Sequence, residues 1–322
     1  PELTLYKGVK GVVSYISGSR PDVLASFKVN CAGCGDDVRQ DQAREINKVV
    51  KLIKSNPEFS VLFSQMSPQG LRIVGIADAA LGTVALASRL NKRDDEIPKS
   101  PEIGKLVNIS SDDGVEENEV GRKNIGGYII GITNHLFDPS ASSELDIEFP
   151  FIPLVYKNFT LTRVCRSSYS AEVLSATTCA DMILYTECIY QEIGFITAMP
   201  VLMTDCLNLI LRLERSCLSD QDSSLIYDLL YLRDLIKKKL LGILFISDKS
   251  NPADFLTKVI PPANKKNELL EMVFKKNRMR VDLSRKYTRS IHQNIVIQAI
   301  STAISACDME MDGKLEFTSD WG

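Results

Sequence analysis

The chain has 322 residues, 44% of them hydrophobic and 25% charged, which is enough for two domains or one large domain with appendages around a real core. Its formal net charge of −3 excludes a global field that would draw it onto nucleic acid, so any such contact must come from a local basic patch or from bound metal. With only two histidines, His135 and His292, the composition speaks against His-rich metal sites and Ser-His-Asp triads and leaves the chemistry to carboxylates.

The chain opens at Pro1 without a charged and apolar leader, which reads as a fragment or processed product with no secretory signal. Nowhere does it carry the run of about 20 apolar residues that a membrane-spanning helix needs. Residues 5–56 read as mainly helical. The run from Ser17 to Asp22 is a turn, with Asp22 as a candidate helix start. Cys31 and Cys34 have zinc or redox spacing, but no second pair completes a site. The other cysteines have mostly apolar neighbours and read as small core residues of a reducing compartment. Across 40–55, Ala43, Ile46, Val49, Val50 and Ile53 recur at spacings of three and four, an amphipathic helix that Asn56-Pro57 ends.

Residues 59–63 and 71–77 are β-like, and the second run leads directly into Asp78. Residues 79–90 fit a short helix or another strand. The stretch 91–125 is acidic, with Pro, Ser and Gly interspersed, and reads as a solvated insertion; the ligand order of an EF-hand is missing. Strands are expected at 126–132 and 159–164. A long helix follows, capped by Ser168 or Ser170 and running to about Glu192, with Leu174, Thr178, Met182, Tyr185, Ile189 and Ile193 as its apolar stripe. A short buried strand at 200–204 ends at Asp205, a helix covers 225–240, and a strand covers 242–247. Asn251-Pro252-Ala253-Asp254 opens another helix, with Pro252 suited to its first position. Residues 264–322 read as helical, then frayed, and rich in Lys and Arg. Alternating strands and helices between about 71 and 260 indicate an α/β fold.

Four acids sit where acids are awkward. Asp78 and Asp205 end apolar strands, while Glu172 and Asp254 lie in the first turns of helices with apolar neighbours. Each alone has an ordinary reading, as a helix cap or a charge favoured by the helix dipole. Together they lie at element boundaries of an α/β segment, where sites gather at strand ends. Converging carboxylates repel one another, and Mg²⁺ or Mn²⁺ relieves this with oxygen ligands alone. Two such ions about 3.5–4 Å apart can clamp both oxygens of a phosphodiester cleavage.

At this point the residues resemble a family. Tyr15 through Val23 looks like the segment that follows the reverse transcriptase palm in copia-type retrotransposons, and Lys48 through Lys54 resembles a later stretch of the same elements. Ala77-Asp78-Ala79, Arg122 through Tyr128, Arg166 through Glu172 and Thr204-Asp205 are similar, in order, to that family's ribonuclease H segments. The sharpest match is Asn251 through Lys258, against an Ala-Asp-x-Leu-Thr-Lys signature. The resemblance covers about residues 10–260.

The resemblance implies a ribonuclease H-like α/β fold, a five-stranded mixed sheet flanked by helices with helical segments at both ends. It implies three parts: a helical thumb- or connection-like segment at 1–58, a ribonuclease H-like domain at 59–260 and a basic helical tail at 261–322. It implies that Asp78 bridges two Mg²⁺ or Mn²⁺ ions, that Glu172 and Asp205 hold one, and that Asp254 holds the other. The substrate would be the RNA strand of an RNA–DNA hybrid, read by shape and 2′-hydroxyl contacts. A reverse transcriptase polymerase domain would be a further partner, in an intracellular setting, cytoplasmic with access to the nucleus. The sequence departs from the family in lacking a Tyr-x-Asp-Asp motif, a Trp after the first aspartate segment and a His before Asp254. The alternatives are a weak or inactive nucleic-acid-binding or scaffold module of a retroelement-derived protein, and a nuclease that cuts DNA with the same metals.

Overall fold

A computed structural model describes residues 2–24, 27, 40–81, 124–135, 146–215, 224–258 and 263–282. The Cys31–Cys34 pair, positions 91–123 of the acidic stretch and the basic residues beyond 282 lie outside the described residues.

The two N-terminal helices are α1 (Glu2–Ser17) and α2 (Gln40–Ser55). The expected stripe on α2 is real, since Ile46 and Val49 are buried with Tyr6, Val13, Val23 and Phe27 in a small core of their own. This unit touches the rest of the molecule. The Arg20 guanidinium lies over the Phe59 ring at 5.2 Å, and Asn158 Nδ2 donates to the Leu24 carbonyl at 3.3 Å.

The central sheet is built from β1 (Arg72–Ala80), β2 (Ile125–Thr133), β4 (Ile152–Thr160), β5 (Ala198–Thr204) and β6 (Gly242–Phe245). Its spatial order is β4-β2-β1-β5-β6. The first three strands are antiparallel, and β5 and β6 run parallel to β1. The central β1 is buried along nearly its whole length, so it reads as a continuous apolar run rather than an alternating one. Alternate residues serve different layers. Ile73, Ala77 and Ala79 face a layer of helices: α3 (Ser168–Glu192), α4 (Leu207–Glu214) and α5 (Ile226–Lys237). Val74 and Ile76 face Phe149, Phe151, Phe255, Phe274 and Met279. Asp78 has the parity of that second face.

The second layer is made of α6 (Asp254–Thr257), α7 (Ala263–Leu270), a π-helical turn (Glu271–Lys275), and β3 (Asp146–Pro150) paired antiparallel with β7 (Arg278–Asp282). The left-handed turn before β7 falls on Asn277, at φ 50°, a residue type that tolerates this conformation. The Asn277 side chain also accepts from Ser64 N at 2.7 Å and donates to the Leu62 carbonyl at 2.8 Å.

Several local expectations are corrected. Residues 59–63 are not a strand; they run along the π turn, with Leu62 N donating to the Phe274 carbonyl at 2.8 Å. The strand expected at 159–164 lies at Ile152–Thr160 instead, and Val164 is exposed. The cap of α3 is Ser167, not Ser168 or Ser170; Ser170 is the reciprocal partner in a capping box. The buried face of α3 is not the large-residue stripe. It is made largely of small residues, Ala171, Ser175, Ala176, Cys179 and Ala180, while Tyr185, Ile189 and Ile193 are exposed. The reason is close approach to β1, since a Cβ on Gly75 would fall 2.4 Å from Ile183 Cδ1. Pro252 precedes α6, which begins at Asp254. The C-terminal region expected to be helical contains β7, whose partner lies more than a hundred residues away in sequence.

Candidate metal centre

Parallel pairing brings two of the acids together. In the β1–β5 register Ala77 stands opposite Thr204, and the next residues are Asp78 and Asp205. Both are thus delivered to the same end of neighbouring central strands. Asp78 remains within β1, opposite Gly127 of β2.

Glu172 arrives from α3. Because the cap is Ser167, Glu172 lies just beyond the first turn rather than in it, and no acid occupies that turn. Ala79 N donates to Glu172 Oε1 at 3.3 Å. Nearly one turn later the buried Ser175 hydroxyl donates to the Asp78 carbonyl oxygen at 2.7 Å, which fixes α3 against β1 at the level of the acids.

Asp254 arrives on α6. The preceding turn is shaped by the buried Asn251, whose Oδ1 accepts from Ala253 N at 2.9 Å and whose Nδ2 donates to the Ala77 carbonyl at 3.3 Å. Asn251 also hydrogen-bonds Asp205. Gly127 makes room for α6, because a Cβ there would lie 2.8 Å from Thr257 Cγ2 and 2.9 Å from Leu256 Cβ. The Thr257 hydroxyl donates to Asp78 Oδ2.

The acids form two overlapping groups. Asp78, Glu172 and Asp205 each offer an oxygen within 4.8 Å of the others, and so do Asp205, Asp248 and Asp254. Asp205 belongs to both. Burial raises the pKa of the Asp78 carboxyl, and Asp205 and Asp254 raise it further. Burial likewise raises Glu172, with Asp78 and Asp205 adding to it. Asp205 is raised by burial and held back by its hydrogen bond from Asn251. Buried carboxylates brought this close are unfavourable without a cation. The donor set fits one. Glu172 Oε2 is buried without a hydrogen-bond partner, and both groups consist of carboxylates only, the ligands of hard divalent ions.

All four acids singled out in the sequence therefore lie at one end of the sheet. Sequence reasoning gave no role to Asn251, Thr257, Lys258 or Asp248. The available signal was spacing: Thr257 and Lys258 are three and four residues after Asp254, which places them on its face of the turn.

No protein-family model matches the chain, and no curated protein matches it. Among solved structures, it is similar to ribonuclease H1 from the halophilic archaeon Halobacterium salinarum NRC-1, with 13% identity and a TM-score of 0.29 over 61% of this chain and 98% of that one. It is also similar to the N-terminal ribonuclease H domain of Rv2228c from Mycobacterium tuberculosis, with 11% identity and a TM-score of 0.30 over 62% of this chain and 97% of that one. The mixed five-stranded sheet flanked by helices is the architecture expected from the sequence. Among the described residues no helix is long and apolar enough to cross a membrane.

Proposed function

We propose that this chain is a metal-dependent ribonuclease H-type endonuclease that cleaves the RNA strand of RNA–DNA hybrids during reverse transcription of a copia-type retrotransposon. The observation that carries this reading is the convergence of Asp78, Glu172 and Asp205 within 4.8 Å, with Asp254 joined to them through Asp205. Such a site has no use for histidine or cysteine, which suits a chain with two histidines.

In this reading Asp78, Glu172 and Asp205 would hold one Mg²⁺ or Mn²⁺, and Asp78 and Asp254 would hold a second. A metal held there would supply polarisation of the phosphodiester and activation of water. The protein supplies placement. Thr257 orients Asp78, Asn251 orients Asp205, and Ala79 N orients Glu172. Because burial keeps Asp78 and Glu172 protonated more readily than free carboxyls, they must lose protons before they can serve as ligands. Residues 59–260 form the nuclease part, extended by 263–282, which pack on its second face. Residues 1–58 are the connection-like segment that would face a polymerase domain.

The test is cleavage of a labelled RNA–DNA hybrid in Mg²⁺ and then Mn²⁺, comparing wild type with Asp205→Asn. RNA-only cleavage, lost in the variant, supports the reading. No cleavage by the folded protein in either metal replaces it with the non-catalytic binding module, and cleavage of DNA alone replaces it with the DNA nuclease.

A further inference from the structure

One half of the carboxylate cluster already carries a cation of its own. Lys258, at the C-terminal end of α6, places Nζ 2.6 Å from Asp254 Oδ1, 3.6 Å from Asp248 Oδ1 and 4.0 Å from Asp78 Oδ1. Among the described residues no salt bridge reaches Glu172 or Asp205, and Glu172 Oε2 is buried without a hydrogen-bond partner. The two halves are therefore filled differently: Glu172 and Asp205 have no ion-pair partner among the described residues, and the α6 side has an ammonium group.

We propose that Lys258 is a built-in counterion that competes with the second divalent cation for Asp254 and Asp78. The chain then takes up one ion readily at Asp78, Glu172 and Asp205, and a second only when the Lys258 ammonium withdraws. This inference rests on the metal-binding reading above.

Three observations carry it. First, a divalent ion bonds carboxylate oxygens at about 2.0–2.6 Å. An ammonium 2.6 Å from Asp254 Oδ1 stands where such an ion would have to be. Second, the two Asp78 oxygens are differently engaged. Thr257 donates to Oδ2 and Lys258 lies by Oδ1, so the α6 side of Asp78 is already served from α6. Third, the way out is open. The Lys258 side chain is 41% exposed and sits on a flexible four-carbon stem, so it can leave without moving the backbone. Once withdrawn to the rim of the site, the ammonium can pair with a backbone phosphate, which links uptake of the second ion to the arrival of nucleic acid.

The experiment is calorimetric titration of the full chain with Mn²⁺, alongside thermal unfolding in EDTA, for wild type, Lys258→Met, Lys258→Gln and Lys258→Arg. Wild type is expected to show one stronger and one weaker site. The two neutral variants should bind the second ion about tenfold more tightly or better, since one competing charge is gone. They should also melt at a lower temperature in EDTA, because Asp254 and Asp78 lose their cation. Lys258→Arg should keep the second site weak and the melting temperature near that of wild type. Unchanged Mn²⁺ stoichiometry and affinity in both neutral variants overturns the role of Lys258 while leaving metal binding intact. Absence of Mn²⁺ binding from wild type and from both neutral variants overturns the metal reading and the counterion with it.

Discussion

Two sets of acids meet at the ends of β1 and β5, and they are held in different ways. Asp78, Glu172 and Asp205 are drawn from two strands and the long α3, lie largely out of water, and receive backbone and side-chain hydrogen bonds, while among the described residues Lys258 forms an ion pair with Asp78 alone of the three, at 4.0 Å. Asp248 and Asp254 come from the short stretch between β6 and the end of α6, and they share Lys258. The first set is fixed by the sheet and is unfavourable without a cation to offset it. The second is neutralised by its own segment. A cluster of carboxylates can thus be split into a part built to bind and a part already satisfied, and the distinction lies in the partners of each oxygen rather than in the number of acids.

The largest effect should come from breaking the first set. Asp78→Asn should lower hybrid cleavage about 10³-fold, equivalent to about 4 kcal/mol of transition-state stabilisation. The same change should raise the melting temperature in EDTA, because it removes a buried carboxyl that Asp205 and Asp254 oppose. It should also abolish the upward shift that Mg²⁺ gives to wild type. Asp248→Asn, in a side chain 72% exposed, should change cleavage by no more than about threefold, in keeping with the small effects of exposed charges. Equal losses in the two variants would break the comparison.

A second pair of substitutions separates the helices that deliver the acids. Gly127→Ala forces a methyl group against Leu256 and Thr257, and Gly75→Ala forces one against Ile183 and Cys179. Each should cost about 1–3 kcal/mol of stability by overpacking. Only Gly127→Ala displaces α6, so only that variant should also weaken Mg²⁺ binding and cleavage. Gly75→Ala strains α3 about two turns or more beyond Glu172 and should leave the Mg²⁺ affinity near that of wild type. Thermal unfolding with and without Mg²⁺ reads both effects.

What the sequence made legible follows the same division. The apolar runs of β1 and β5, each leading into an aspartate, announce buried strands with acids at their ends, and parallel pairing then brings Asp78 and Asp205 together. The asparagine-proline turn announces Asp254. The packed face of α3 was not legible, because its contact with β1 is made by Ala, Ser and Cys, which a search for large apolar residues passes over. β7 was not legible, because its strand partner, β3, lies far away in sequence, and nothing local separates it from a basic helix. The role of Lys258 depends on where its stem points, which spacing limits but does not decide.

The pH dependence of stability separates the two sets without any substitution at the α6 end. Burial and neighbouring carboxylates raise Asp78 from the usual carboxyl range to about 8, and Glu172 is raised as well. A carboxyl raised on folding means that the folded state binds more protons than the unfolded one between the two pKa values. Stability in EDTA should therefore be fully present below about pH 4, the unfolded value. It should fall as pH rises and level off once the folded value is passed. Mg²⁺ binds the deprotonated form, so its stabilising effect should be larger at pH 8 than at pH 6. Asp78→Asn should flatten the EDTA profile, whereas Asp248→Asn should not.

The smallest effect tests how far placement of Glu172 depends on the end of its helix. Ser167 and Ser170 exchange hydrogen bonds at the start of α3, with Ser170 N donating to Ser167 Oγ at 3.1 Å and Ser167 N donating to Ser170 Oγ at 3.1 Å. Ser167→Ala removes the first of these and should cost about 1 kcal/mol of stability. Glu172 is five residues further on and is also held by Ala79 N and by the Ser175 anchor to Asp78. The loss of the cap should therefore fray the first turn without releasing the carboxylate, lowering the melting temperature by a few degrees. Cleavage should stay within about twofold of wild type. If it falls tenfold while the protein remains folded, Glu172 is positioned by the cap rather than by β1, and the first set of acids is less firmly tied to the sheet than its hydrogen bonds indicate.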